Sequence, residues 1–273
     1  APVKVPDLGA LTDDFETFVF DSFGVLNVGG AAIPGAADRV TALRSAGKQI
    51  IVLTNAATTP LRDNVAKYRG LGFDFAPSEI VSSRAVLAEA LQETDPGWTW
   101  AVAAAPEADV DELPVRTVLV SGDGEWTEAD GFILLSGSGW SDAVMDAVAR
   151  ALAARPRPVW VGNPDLVAPF EGGFYEQPGS FAHDLADRLG IEPVFFGKPY
   201  GNAFDMLRRL LPPGRDPAKV LMLGDTLHTD ILGGAAAGFK TGLVTAHGVM
   251  KTLDVDACWA ASGIVPDYIL PAI

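Results

Sequence analysis

The stretch TFVFDSFGVLNVGGA, residues 17–31, decides how this 273-residue chain folds. Its first four residues are apolar or β-branched, which is typical of a strand buried inside a sheet. Asp21 ends the run, and Gly24 favours a turn soon afterwards. Open α/β sheets bind their ligands at the carboxyl ends of the strands. A carboxylate in that position therefore indicates the beginning of an active site.

Similar apolar runs recur along the chain, separated by segments with helical periodicity. Continuous apolar runs are typical of strands covered on both faces, and the segments between them place apolar residues three and four apart. Alternating strands and helices predict a doubly wound, Rossmann-like parallel sheet of the α/β class. The predicted strands are 17–21, 48–55, 99–104, 116–122, 131–137, 157–163, 193–198, 219–225 and 240–248, and the predicted helices are 35–47, 61–72, 83–93, 141–154, 180–190 and 201–211.

Turn-forming residues indicate two linkers, at 93–98 and 190–194. The block between them has the size of a small domain. We therefore expect a core built from residues 1–95 and 193–273, with a smaller domain of residues 96–192 inserted into it.

The composition excludes several classes of partner. The formal net charge is −15, which repels nucleic acid and anionic membranes. The single cysteine, Cys258, excludes an intrachain disulfide and fits a reducing compartment. No basic-then-apolar signal segment and no apolar run of membrane-spanning length is present, so we expect a cytoplasmic protein. The sequence leaves open whether the chain forms a homodimer.

Polar residues close four of the predicted strands. Each one alone is more often a helix cap or a turn former than a functional group. Together they suit phosphoryl transfer, in which a carboxylate attacks phosphorus and forms an acyl phosphate. Mg²⁺ held by carboxylates would neutralise the charge, while lysine, hydroxyl and backbone donors bind the phosphate oxygens. These residues are Asp21, Thr54 with Asn55, Lys198, and Asp225 with Asp230.

Four short motifs give the chain a family resemblance. VFDSFGVL, VLTN, GKP and MLGDTLHTD stand in the order of the four motifs of the haloacid dehalogenase superfamily of hydrolases. The long interval between the second and third motifs resembles the insertion of a cap domain. The segment GNPDLVAPFEGG, together with the later motifs, resembles the subgroup with the large α/β cap, which includes sugar-phosphate, nucleotide and pyridoxal phosphate phosphatases. The resemblance implies a Mg²⁺-dependent phosphatase of a small phosphorylated metabolite.

The resemblance also implies a role for each motif residue. It makes Asp21 the nucleophile and a metal ligand, the backbone carbonyl of Phe23 and the Asp225 carboxylate further metal ligands, Asp230 an indirect support of the ion, Thr54 and Lys198 catalytic ligands of the transferring phosphate, and Asn55 a further phosphate donor.

Phe23 departs from the family pattern. Phosphatases of the superfamily usually carry a second aspartate two residues after the nucleophile, which protonates the leaving oxygen and then assists water. A phenylalanine side chain can do neither, although its main-chain carbonyl can still bind a metal. Two alternatives therefore stand beside the phosphatase: a catalytically weak binding or regulatory protein of the same fold, and a hydrolase of another bond such as carbon–halogen.

Two further polar residues have both a structural and a functional interpretation. Asp165 follows Asn163 and Pro164, and the simplest role of this group is to shape a turn. His228 lies close to two acidic residues, as is typical of a surface histidine. The sequence does not decide whether either residue contacts substrate.

Overall fold

The computed structural model describes residues 1–121, 124, 126–138, 141–170 and 173–273. The strands of this described part are β1 (Val3–Lys4), β2 (Thr17–Phe20), β3 (Asn27–Val28), β4 (Ala31–Ala32), β5 (Gln49–Thr54), β6 (Ile80–Ser82), β7 (Thr99–Ala103), β8 (Arg116–Leu119), β9 (Gly131–Leu134), β10 (Val159–Val161), β11 (Val167–Phe170), β12 (Gly173–Glu176), β13 (Val194–Phe195), β14 (Val220–Gly224), β15 (Lys240–Val244) and β16 (Tyr268–Leu270). The α-helices are α1 (Ala36–Ser45), α2 (Leu61–Gly70), α3 (Ser83–Leu91), α4 (Asp142–Ala154), α5 (Pro178–Leu189), α6 (Gly201–Arg208), α7 (Leu232–Ala236) and α8 (Val255–Ser262), and Leu227–Ile231 forms a π-helical turn.

The chain divides into two compact units. The predicted inserted segment, 96–192, lies within the second unit, which also takes in α3. The first unit contains Ala1–Thr54, Arg62–Val81 and Lys198–Ile273, and the second contains Asn55–Leu61 and Ser82–Gly197.

A seven-stranded sheet forms the centre of the first unit, in the order β1-β16-β15-β14-β2-β5-β6. Strand β2 pairs in parallel with β14 on one side and with β5 on the other. The carboxyl ends of these three strands therefore meet at one edge of the sheet. The parallel pairing confirms the predicted α/β class.

Both faces of this sheet are buried, as its continuous apolar runs require. Alternate residues of the central strands join one hydrophobic cluster, while the residues between them are equally buried on the opposite face. The cluster includes Phe18, Phe20, Ile50, Val52, Leu221 and Leu223, and the opposite face includes Val19, Ile51 and Met222.

The second unit has its own parallel sheet, in the order β13-β10-β9-β7-β8, and an antiparallel pair, β11 and β12. One face of the sheet packs against α4 and α5 through a cluster that includes Phe132, Val148 and Leu185. On the other face, Trp160 lies between Trp100 and Phe196, with ring centroids 4.9 Å apart in both pairs. The unit thus has an independent core. No helix within the described residues is long and apolar enough to cross a membrane.

Candidate active site

A buried lysine connects two carboxylates at the carboxyl edge of the first unit's sheet. The Lys198 ammonium donates hydrogen bonds to Asp21 Oδ1 at 2.7 Å and to Asp230 Oδ1 at 2.6 Å. Lys198 is 2% exposed and Asp230 is fully buried. Burial by itself lowers the pKa of Lys198, but the charges of the two carboxylates outweigh burial and raise the pKa above its ordinary value. The lysine therefore stays charged at every physiological pH.

Asp225 is the third carboxylate of the cluster. Its Oδ2 accepts a hydrogen bond from the Val249 amide at 2.8 Å, and its Oδ1 accepts one from the Thr226 hydroxyl at 3.0 Å. Burial, and secondarily the charge of Asp21, raises the pKa of Asp225 to about 7. Burial also raises the pKa of Asp230, with a further contribution from Asp21. The three carboxylates thus share one buried ammonium, and burial makes the ionisation of Asp225 and Asp230 unfavourable.

This donor set fits a magnesium ion. One ligand atom from each of Asp21, Asp225 and Asp230 can be chosen so that all lie within 4.8 Å of one another. Mg²⁺ takes oxygen ligands, and one or two carboxylates usually hold it together with substrate phosphate. A divalent cation would also compensate the buried charge of Asp225 and the repulsion from Asp21, which together raise the pKa of Asp225. Chemistry and charge therefore both favour a hard cation at this site.

Two glycines allow the backbone to approach Asp225 closely. Gly24 has φ +76°, a left-handed conformation that side chains other than glycine rarely adopt. A Cβ at either Gly24 or Gly248 would collide with the Asp225 carboxylate. The loop after β2 and the loop after β15 are consequently both held against the same carboxylate.

The loop after Asp21 is fixed by hydrogen bonds within residues 22–27. The Gly24 amide donates to the Asn27 carbonyl at 2.8 Å, and the Leu26 amide donates to the Ser22 carbonyl at 2.9 Å. The Ser22 hydroxyl donates to Asn27 Oδ1 at 2.8 Å. Phe23 lies in this loop and is partly exposed. The phenylalanine that replaces the expected acid is therefore part of an ordered loop.

One boundary between the two units falls at the end of β5, between Thr54 and Asn55. Thr54 belongs to the first unit and is buried, with 4% exposed. Asn55 belongs to the second unit, where its side-chain amide donates to Asp165 Oδ1 at 2.8 Å. The Asn55 side chain thus interacts with Asp165, an arrangement that the sequence did not predict.

The sequence interpretation missed the groups that support Asp225. Val249 and Thr226 both donate to this carboxylate, and neither was selected. Thr226 directly follows Asp225 and could have been found from the motif GDT. Val249 follows the glycine of AHGV, 24 residues later, and a glycine after a strand is too common to indicate a metal site.

Comparisons with known proteins agree on one family. A model described as haloacid dehalogenase-like hydrolase matches residues 18–123, and a second HAD-hydrolase-like model matches residues 195–273. The chain is 29% identical to the glycerol-3-phosphate phosphatase of Homo sapiens, over 97% of this chain and 90% of that protein.

Two solved structures superpose on nearly the whole chain. A structure titled "possible sugar phosphatase, HAD superfamily" from Cytophaga hutchinsonii superposes with a TM-score of 0.87 at 26% identity, covering 99% of this chain and 98% of that one. A glycerol phosphate phosphatase from Mycobacterium tuberculosis, solved in complex with magnesium, has a TM-score of 0.74 at 23% identity, covering 95% and 76% of the two chains. The second likeness shows the fold alone.

Proposed function

We propose that this chain, which belongs to the haloacid dehalogenase superfamily of hydrolases, is a magnesium-dependent phosphatase of small phosphorylated polyols or sugars. The family membership confirms the resemblance carried by the four motifs. The observation that best supports the reaction is the bridge from Lys198 to Asp21 and Asp230, with Asp225 beside it. This arrangement supports a role for Asp21 as nucleophile, for Lys198 as the cation that binds phosphate and for Asp225 as a metal ligand.

Asp21 acts as the nucleophile in this proposal. Lys198 occupies its Oδ1, so that Oδ2 attacks phosphorus while the bond between phosphorus and the leaving oxygen breaks. The product is an acyl phosphate on Asp21, from which water then releases phosphate. Lys198 also offers its charge to the oxygens of the transferring group, where negative charge develops.

The remaining donors and ligands surround the phosphate. The Thr54 hydroxyl and the backbone amide of Asn55 donate to phosphate oxygens, because they stand at the carboxyl end of β5, the strand that pairs with β2. Asp21, Asp225 and the carbonyl of Phe23 would hold Mg²⁺, with Asp230 as indirect support. When bound, the ion supplies the positive charge that lets two anions meet.

The substrate class rests on the relatives. Proteins named for glycerol 3-phosphate or for sugar phosphates align with nearly the whole chain. A compact polyol or sugar phosphate is therefore the substrate class we propose.

Phe23 favours one second candidate, a phosphate-binding protein with little turnover. General acid–base catalysis contributes about 10²–10⁴ in rate, and no carboxylate stands at position 23 to supply it. Such a protein would keep the anion and metal sites but release product slowly.

Phosphate release from a panel of esters separates the candidates. The panel contains glycerol 3-phosphate, a hexose phosphate and p-nitrophenyl phosphate, each with Mg²⁺ and with excess chelator; Asp21→Asn is the control. Release that needs both Mg²⁺ and Asp21 supports the phosphatase. Binding of glycerol 3-phosphate in calorimetry without release of phosphate supports the second candidate. Full activity in chelator would contradict the metal role.

A further inference from the structure

At two of the places where the chain passes from one unit to the other, a residue at the crossing is a proposed phosphate ligand. Thr54 is the last residue of its segment of the first unit, and Asn55 begins a segment of the second. Gly197 ends the second unit, and Lys198 resumes the first. Each ligand is therefore bonded covalently to a residue whose packing is set by the second unit.

On the second-unit side, Asn55 is held by a turn that contains Asp165. The Asn55 amide donates to Asp165 Oδ1 at 2.8 Å. The Asp165 amide donates to Asn163 Oδ1 at 2.9 Å, and the Asp165 carbonyl accepts from the Gly179 amide at 3.1 Å. Because its backbone is fixed at both ends, Asp165 is a rigid acceptor for Asn55.

The other passage packs against the same residues. Gly197 has φ +123°, and a Cβ built there would lie 2.6 Å from Asn55 Oδ1 and 2.9 Å from Pro164 Cδ. These distances are too short for any side chain, so the Gly197 backbone touches Asn55 and Pro164 directly. We call Asn55, Pro164, Asp165 and Gly197 the clasp, because they join the two passages within one unit.

A buried arginine fixes the rest of the segment that follows Asn55. The Arg84 guanidinium, 6% exposed, donates to the Ala57 carbonyl at 3.2 Å and to the Ala108 carbonyl at 2.6 Å. The segment Asn55–Leu61 is therefore anchored in the second unit at two separate points. Asp165 supplies a charged acceptor in the clasp.

We propose that Asp165 is a positioning residue for phosphate binding, acting through Asn55 on the peptide units that lead into Thr54 and Lys198. Without the Asp165 carboxylate, the Asn55 side chain loses the hydrogen bond to Asp165 Oδ1, and the packing against Gly197 loosens. The Thr54 hydroxyl and the Lys198 ammonium then no longer keep a preset spacing for the phosphoryl oxygens, and misplacement of this kind is costly for catalysis. The inference rests on the proposed phosphatase function.

The test compares Asp165→Ala, Asp165→Asn and a control, Asp187→Ala, which alters an exposed aspartate on α5. Calorimetry with inorganic phosphate in the presence of Mg²⁺ measures phosphate binding without turnover, and glycerol 3-phosphate kinetics give kcat and KM. We expect Asp165→Ala to weaken phosphate binding and lower kcat/KM by about tenfold or more. Asp165→Asn should recover most of both losses, since an amide oxygen still accepts from Asn55.

Circular dichroism and thermal unfolding separate positioning from folding. An Asp165→Ala protein that is destabilised but binds phosphate as tightly as the wild type would overturn the inference, as would equal effects of Asp165→Ala and Asp187→Ala. A wild-type chain that binds phosphate but hydrolyses no ester would contradict the proposed function instead. In that case, phosphate affinity alone still decides whether Asp165 has its positioning role.

Discussion

The raised pKa of Asp225 predicts an unusual dependence of stability on pH when metal is removed. Its pKa is about 7 in the folded chain, against 3.8 for an ordinary aspartate. The folded state therefore binds a proton that the unfolded state does not, throughout the range between these values. Stability from this group is gained as pH falls and lost as pH rises through about 7.

The magnitude follows from the size of the shift. A shift of about three pKa units lowers the free energy of unfolding by about 4 kcal/mol when Asp225 goes from fully protonated to fully ionised in both states. Integrated from about pH 8 to about pH 5.5, the Asp225 contribution is about 2 kcal/mol of added stability. Bound Mg²⁺ would keep Asp225 ionised and compensate its charge, so this gain should shrink when the ion is present.

Chemical denaturation at the two pH values, in chelator and in Mg²⁺, measures the effect. Asp225→Asn is the matched control, because its amide cannot ionise; in chelator it should be more stable than the wild type at pH 8. It should also lack the Asp225 part of the pH dependence. A chelated wild type whose free energy of unfolding stays constant or falls from pH 8 to pH 5.5, relative to Asp225→Asn, would refute the reasoning.

Three further predictions concern the chemistry. Asp21→Asn should abolish turnover while circular dichroism stays unchanged, because an amide is not a competent nucleophile; wild-type rates on the best ester would contradict this. Ca²⁺ should suppress turnover measured in Mg²⁺, since its longer bonds and higher coordination number draw Asp21 away from attack; undiminished rates in equimolar Ca²⁺ would exclude that geometry. Phe23→Asp should speed hydrolysis of glycerol 3-phosphate by up to about 10²–10⁴-fold and change p-nitrophenyl phosphate far less, because only the alkoxide needs a proton; equal effects on both esters would show that Phe23 does not limit the reaction.

Much of the fold was predictable because the strands inside the sheets are continuous apolar runs in the sequence. Each of the nine predicted strands contains a strand of the structure. The missed strands are two to four residues long, and β1 and β6 lie at the edges of their sheet. Strands this short contain too few residues to show a period, and β1 pairs with β16, which lies near the other end of the sequence.

The candidate site could be predicted only where its residues lie at or just after the ends of strands. Asp21, Lys198, Asp225 and Asp230 were selected from the sequence, and the structure brings these four together. The hydrogen bond from Asn55 to Asp165 joins residues 110 positions apart, and no local pattern encodes such a pair. The division between Thr54 and Asn55 is also not encoded locally, because no turn-rich linker separates these two residues.

The strand order of the core also has a consequence for synthesis on the ribosome. Strand β2, which ends directly before Asp21, needs β14 as one of its two neighbours, and β14 lies about 200 residues further along the chain. By contrast, the residues of the second unit have all been translated once residue 197 is added. The second unit can therefore fold while the core is still missing a central strand. The cluster of Asp21, Asp225 and Asp230 cannot form until residue 230 has left the exit tunnel, so the nascent chain lacks the proposed catalytic site before then.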